Sequence, residues 1–114
     1  MLALQYRLKT KDDFERVEKK GKIFQSESFG LAIYKRHDDN LPRFGFIVST
    51  KISKAASARN KARRSLNEAI RQTASYIKPG FDCIFLSKPI IVKKYTDEIM
   101  REVNDSLKKA KLMK

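Results

Sequence analysis

The 114-residue chain contains one cysteine, Cys83, one histidine, His37, and no tryptophan. A lone cysteine closes no internal disulfide, and its place in the apolar run Cys83-Ile84-Phe85-Leu86 gives it the character of a small buried hydrophobe. A zinc site needs about four ligands in close company, which one His and one Cys do not supply. The four glycines stand singly, so neither a phosphate-binding loop nor a dinucleotide fingerprint is present. No apolar run approaches the ~20 residues that span a bilayer, and the opening Met1-Leu2-Ala3-Leu4-Gln5-Tyr6-Arg7 lacks a signal peptide's apolar core and cleavage site. These absences predict a cytoplasmic protein with no membrane partner.

Acids are the other shortage. Thirteen Asp and Glu stand against 26 Lys and Arg, giving a formal net charge of +13 and a sequence pI near 10.0. Such a balance calls for a polyanionic partner, with nucleic acid the leading candidate. Asp12, Asp13, Asp38, Asp39 and Asp82 fall in a helix start, a turn and a strand entry, so they do not read as the carboxylate cluster of a two-metal nuclease. They read as capping, turn-forming and solvated residues, and neither a catalytic residue nor a metal ligand is assigned. With 41% hydrophobic residues the chain has the means to fold, and its length suits one domain over residues 1–114.

What the chain has in abundance is concentrated between Lys51 and Arg71. Seven basic residues, Lys51, Lys54, Arg59, Lys61, Arg63, Arg64 and Arg71, share this segment with one acid, Glu68. At helical spacing Ala62, Leu66, Ala69, Ile70 and Ile77 gather on one side, while Asn60, Arg64, Asn67 and Arg71 gather opposite, with Arg63 on the border. A merely solvated face interleaves signs, because unlike charges at i,i+4 support a helix and like charges oppose it. Here Arg59 and Arg63 are i,i+4 and Lys61 and Arg64 are i,i+3, a repulsion that an anionic ligand would explain. Arginine's planar fork holds two phosphate oxygens at once, and Asn60 adds a neutral group able to touch a base edge or a 2′-hydroxyl.

Around this segment, local signals place the other elements. Thr10-Lys11-Asp12-Asp13 has the capping-box pattern and Gly21 offers a stop, predicting a helix over Lys11 to Lys20 with Phe14 and Val17 on its apolar stripe. Phe14 reads as a core residue, with a groove-facing ring for nucleotide stacking as the alternative. Ile23 to Lys35 reads as strand, the polar Arg36 to Pro42 as a hairpin turn with a solvated His37, and Arg43 to Ser49 as the next strand. Within it, Gly45 allows either close backbone approach or a twist. Lys51 to Lys54 forms a basic loop with Ser53 or Ser57 as N-cap of the central helix. After Pro79-Gly80, Asp82 to Ser87 reads as a short buried strand, and strand, helix, strand makes a parallel pair. Lys94 to Lys109 is a last helix with Tyr95, Ile99, Val103 and Leu107 on its core face, followed by a fraying lysine-rich end.

The run Arg59-Asn60-Lys61-Ala62-Arg63-Arg64, followed by Asn67-Glu68, resembles the RNR signature of the protein subunit of bacterial ribonuclease P. The likeness extends, in order, to Arg7-Leu8-Lys9 with Asp13-Phe14, Val17 and Gly21, to Arg43-Phe44-Gly45-Phe46 with Val48-Ser49 and Lys51-Ile52, and to Pro79-Gly80 with Asp82. The chain departs from the family pattern at Ser53, where a glycine is usual, in a longer Ser53 to Ala58 link, and at Glu18, where many members carry an aromatic. The resemblance implies an α/β fold, an α+β sandwich of order αβββαβα, with a small mixed sheet, a central basic helix and a left-handed βαβ crossover.

It also implies a division of roles. A catalytic RNA would hold the Mg²⁺ ions and cut the phosphodiester at the 5′ end of mature tRNA, and the protein would hold no metal of its own. Lys51, Lys54, Arg59, Asn60, Lys61, Arg63, Arg64, Asn67 and Arg71 would bind the catalytic RNA. Arg7, Lys9, Phe14 and Tyr34 would line the side facing the 5′ leader of precursor tRNA, and no protein partner is evident. A non-catalytic RNA-binding module, such as a ribosomal protein or RNA chaperone, shares the composition and the helix but not the ordered landmarks.

Overall fold

The structure, a computed structural model, describes residues 2–114. Its main elements are α1 (Lys11–Lys20), β1 (Lys22–Gln25), β2 (Phe29–Lys35), β3 (Arg43–Ile47), α2 (Ala56–Thr73), β4 (Phe81–Ser87) and α3 (Thr96–Lys109), the expected αβββαβα order. The four strands form one mixed sheet in the order β1-β2-β4-β3. β1 and β2 are antiparallel, as are β2 and β4, while β3 and β4 are parallel with α2 as their crossover.

The sheet's two faces follow from strand alternation. Phe29, Leu31 and Ile33 of β2, Phe44 of β3, and Cys83 and Phe85 of β4 point into the main core, which Leu66 and Ile70 of α2 and Ile99, Val103 and Leu107 of α3 complete. Phe85 sits between two rings, edge-on to Phe29 at 5.1 Å and stacked on Phe46 at 5.7 Å, both favourable geometries. On the other face Leu8, Val17, Ala32 and Ile84 form a smaller cluster beneath α1. β4 occupies an interior position, which accounts for its unbroken apolar run: both of its faces are covered.

Local signals placed α1 well. Thr10 caps it by accepting the Asp13 N–H at 3.1 Å, and Gly21 closes it, its N–H donating to the Val17 carbonyl. Where non-local contacts decide, the structure differs from the sequence expectation. The extended stretch Ile23 to Lys35 is two strands of a hairpin, broken at Ser26–Ser28, because the Glu102 carboxylate on α3 accepts from both serine hydroxyls and from the Ser28 N–H. Arg36 to Pro42 does not join a hairpin: β4 lies between β2 and β3, and the loop wraps the start of β4 instead. There the Arg36 N–H donates to Gly80 O and the Gly80 N–H to Asn40 O, each at 2.8 Å. Gly80 adopts φ +85, and a Cβ on it would lie 2.5 Å from the Asp38 carbonyl oxygen, so this crossing requires glycine.

Neither Ser53 nor Ser57 caps α2. Ala55 is its N-cap, and Ser53 Oγ accepts the Ala55 N–H one step earlier. Tyr95 is not a core residue but the N-cap of α3, 71% exposed, its N–H bonded to Glu98 at 3.0 Å. The lysine-rich end does not fray either. Leu112 is buried, its N–H donates to Leu107 O, the Lys111 N–H donates to Lys108 O, and Lys78 N–H donates to Leu112 O. This is a Schellman ending with Lys111 at φ 59 in the left-handed position. Leu112 against Leu107 supplies the apolar contact of the motif, which a count of lysines does not reveal.

Candidate nucleic-acid interface

The amphipathic reading of α2 matches its burial: Ala62, Leu66, Ala69 and Ile70 are buried, and Asn60, Lys61, Arg63, Arg64 and Arg71 are exposed. Asn60, Arg63, Arg64 and Asn67 surround a shallow depression of about 350 Å³. Within it Arg63 donates to Asn60 Oδ1 at 3.2 Å and Asn67 Nδ2 donates to the Arg63 carbonyl at 2.9 Å. No described carboxylate pairs with Arg63 or Arg64, so both guanidiniums present their charge outward. Lys61 is likewise exposed and without an ion pair.

The approach to the helix adds charge. Lys51 and Lys54 are exposed in the loop before α2, and half-buried Arg59 ties that loop down by donating to Ser53 O at 2.8 Å. The first-turn N–H groups of α2 have no side-chain cap, which leaves the positive end of the helix beside those lysines. Arg71 differs from the others: its guanidinium binds the Glu68 carboxylate through two hydrogen bonds, one of 2.9 Å, and Gln72 joins at 3.1 Å. Those bonds hold the Glu68 carboxyl down to about 2, with Arg71 the larger cause and Gln72 the next. Arg71 thus brings a charge already balanced within its own helix.

A second depression, about 240 Å³, opens beside the first, lined by Arg7, Leu8, Phe14, Phe44, Gly45, Phe46 and Asn67. Arg7 reaches it because residues before α1 run alongside β3, bridging Phe44 and donating the Leu8 N–H to Phe44 O at 2.9 Å. The Arg7 Nε–H is held by Leu2 O at 2.7 Å. Gly45 is a site of close approach: a Cβ there would lie 2.5 Å from the tip of the Phe14 ring. The half-buried Phe14 packs on the small cluster and also lines the cleft. Of the residues expected on this side, Arg7 and Phe14 meet at the cleft, whereas Lys9 and Tyr34 do not line it. Tyr34 packs on the same small cluster from β2. Glu18 is exposed, so Phe14 is the sole aromatic of α1.

The end of the sheet nearest the cleft is fixed by an ion network that the sequence disclosed only as separate residues. Asp82 is fully buried, and its carboxylate is held by Arg43 through bonds of 2.9 and 2.8 Å and by Arg36. Arg43 also reaches Asp13, which pairs with Arg16 at 2.9 Å. Burial alone would raise the Asp13 carboxyl, but the Thr10 hydroxyl and the Arg43 and Arg16 guanidiniums outweigh it and hold it below the ordinary carboxylate range. Asp82 is thus a structural hub and not a solvated strand entry. Cys83 beside it is buried, and burial pushes its thiol up, as expected of a small hydrophobe. Among the described residues no group of three or more His, Cys, Asp or Glu is placed to hold a metal ion, and no helix is long and apolar enough to cross a membrane.

Comparison with known proteins gives a consistent result. Residues 2–111 match the family model described as ribonuclease P. The chain is 30% identical to the ribonuclease P protein component of a Cyanothece species, over 99% of this chain and 98% of the relative. It is 33% identical to that of Clostridium kluyveri, over 96% and 97%. The Staphylococcus aureus RNase P protein superposes with a TM-score of 0.87 at 28% identity, covering 96% of this chain and 98% of that one.

Proposed function

The chain belongs to the ribonuclease P protein family, and from that membership we propose how its surfaces divide the work. It is the protein component of ribonuclease P, a subunit of a ribonucleoprotein endoribonuclease that matures the 5′ end of tRNA. Its partner is the ribonuclease P RNA. In our reading, residues 1–114 act as one RNA-binding domain in the cytoplasm, the outward face of α2 with Lys51 and Lys54 grips the catalytic RNA, and the neighbouring cleft takes the single-stranded leader of precursor tRNA. Bond breaking and the Mg²⁺ ions it uses belong to the RNA.

The observation that carries this reading is Asn67, which lines both depressions. The arginine-bearing face and the cleft are therefore contiguous, one rich in exposed guanidinium and the other walled by the ring of Phe14. Guanidinium faces suit phosphates, and rings suit unpaired bases. Two RNAs brought together repel, and a body of net charge +13 between them offsets that repulsion, lowering the Mg²⁺ needed for assembly. The test combines purified protein, catalytic RNA and precursor tRNA at low Mg²⁺. Cleavage at the mature 5′ end should require both macromolecules. Cleavage by the protein without RNA, or by the RNA equally well without protein, would overturn the reading.

A further inference from the structure

A third depression lies at the opposite edge of the sheet from the α2 face. β3 carries the walls of the leader cleft, whereas this one, of about 450 Å³, is built on β1 and β2. The strand register explains its composition. Lys22 pairs with Ile33, Phe24 with Leu31, and Lys35 with Phe81, so Lys22, Phe24, Ile33, Lys35 and Phe81 all project from one side of the sheet. The rings of Phe24 and Phe81 form the floor. Leu112, brought there by the Schellman turn after α3, closes the back, and Lys20 at the end of α1 and His37 stand on the rim.

Three features distinguish this depression from incidental surface. Its lining contains no acid, and Lys20, Lys22 and Lys35 are exposed without an ion pair among the described residues, although elsewhere Asp and Glu engage Arg36, Arg43, Arg71 and Lys94. Its floor is aromatic and half-buried, unlike the arginine face of α2, whose depression contains no ring. Phe24 lies on the edge strand β1, so the hollow sits at an unpaired edge of the sheet. Lysines around half-buried rings accommodate a phosphate and an unstacked base at once, a combination that fits single-stranded nucleic acid better than a duplex.

We infer that the hollow formed by Lys22, Lys35, Phe24 and Phe81 is a second RNA contact, which takes an unpaired nucleotide segment independently of α2 and of the leader cleft. The occupant is a single-stranded stretch of RNA, its bases over the two phenylalanines and its phosphates on the lysines. Because the hollow and the α2 face lie at opposite sheet edges, one protein molecule would touch two separate RNA segments and fix their spacing.

The experiment follows the aromatic ¹³C resonances of Phe24 and Phe81 in the full chain while a ten-nucleotide single-stranded RNA is added at low salt. Both rings should shift. In Lys22→Glu/Lys35→Glu, with unchanged circular dichroism, the shifts should vanish and affinity for the oligonucleotide should fall about tenfold or more, the log affinity versus log salt slope flattening by about 1.4 for two lost contacts. The milder Lys22→Gln/Lys35→Gln should move both readouts the same way if charge reversal impairs folding. Arg63→Ala/Arg64→Ala should leave the ring shifts intact, which separates this contact from the α2 reading. Ring resonances that stay still, that shift equally in the Lys22/Lys35 variants, or that respond as strongly to a duplex or to a glutamate-rich peptide would overturn the inference.

Discussion

Removing Arg63 and Arg64 together is the perturbation that best separates a ligand-binding face from a structural one. Both side chains are exposed and neither meets a carboxylate among the described residues, so the double alanine variant deletes two outward charges and no buried contact. Each phosphate contact contributes a slope of about 0.7–0.9 in log affinity against log salt, which between 1 M and 0.1 M salt amounts to about 1 kcal/mol per contact. Two contacts give about 2 kcal/mol, so affinity for the catalytic RNA at 0.1 M salt should fall about thirtyfold and the slope should flatten by about 1.4–1.8. Stability should move the other way. Arg59 and Arg63 are like charges one turn apart, and relieving them is worth a few tenths, roughly 0.2–0.5 kcal/mol, in favour of the fold. Filter binding across a salt series measures the first effect and urea unfolding the second. Glu68→Gln supplies the opposite arm: it frees the Arg71 guanidinium on the same helix, so RNA affinity should rise and the slope steepen by about 0.7–0.9. Unchanged affinity in the double variant, or stability lower by more than about 1 kcal/mol, would refute the assignment of this face to RNA.

Other outcomes test the parts that hold the interface in place. Asp82→Ala leaves Arg36 and Arg43 facing a buried vacancy and should cost about 3–5 kcal/mol in urea unfolding; a loss below about 1 kcal/mol would mean that the network does not clamp the sheet end. Gly45→Ala places a methyl group where the Phe14 ring now lies, so the ring must swing away. A stability loss of about 1–2 kcal/mol and weaker binding of leader-bearing precursor, with catalytic-RNA affinity unchanged, are expected from fluorescence anisotropy of labelled RNAs. Lys111→Gly relieves a left-handed residue at the Schellman position and should raise stability by about 0.5–1 kcal/mol, read as a higher thermal midpoint.

How much of this was legible depends on the range of the deciding interaction. The bounds of α1 were readable because its start and stop are local: a capping hydroxyl three residues from the N–H it accepts, and a glycine after the last turn. The two faces of α2 were readable because helical periodicity sorts Leu66 and Ile70 from Asn60 and Arg64 regardless of what they meet. The sheet order was not. A polar turn between two strands argues for a hairpin, yet β4, arriving forty residues later, pairs with β2 along its whole length and displaces β3 to the edge. Arg43 and Asp82 each stood out as landmarks, but nothing in a single chain says that a strand-starting arginine and an aspartate beyond α2 form one bidentate pair. The Glu102 anchor for Ser26 and Ser28 was hidden for the same reason, its partners lying more than seventy residues away.

The distribution of those carboxylates explains why basic surfaces remain available. Asp13, Asp38 and Asp82 engage Arg16, Arg36 and Arg43 at the end of the sheet, Glu27 engages Lys94, Glu98 caps α3, and Glu102 holds the β1–β2 turn. Each of these acids ties together parts of the fold, so their charge is consumed where it stabilises the architecture. Only Glu68 is placed on α2, and it meets the last basic residue of the helix and not the central ones. Arginine thus has two roles here that composition cannot separate. Arg36 and Arg43 are neutralised and hold the sheet end to its loop and to α1, whereas Arg63 and Arg64 remain unneutralised at the surface. An excess of positive charge spread evenly would weaken the compact state everywhere by self-repulsion. Confining the pairing to the framework keeps the fold supported while leaving unneutralised charge on α2 and its flanks, and at Lys20, Lys22 and Lys35, where a polyanion can relieve it.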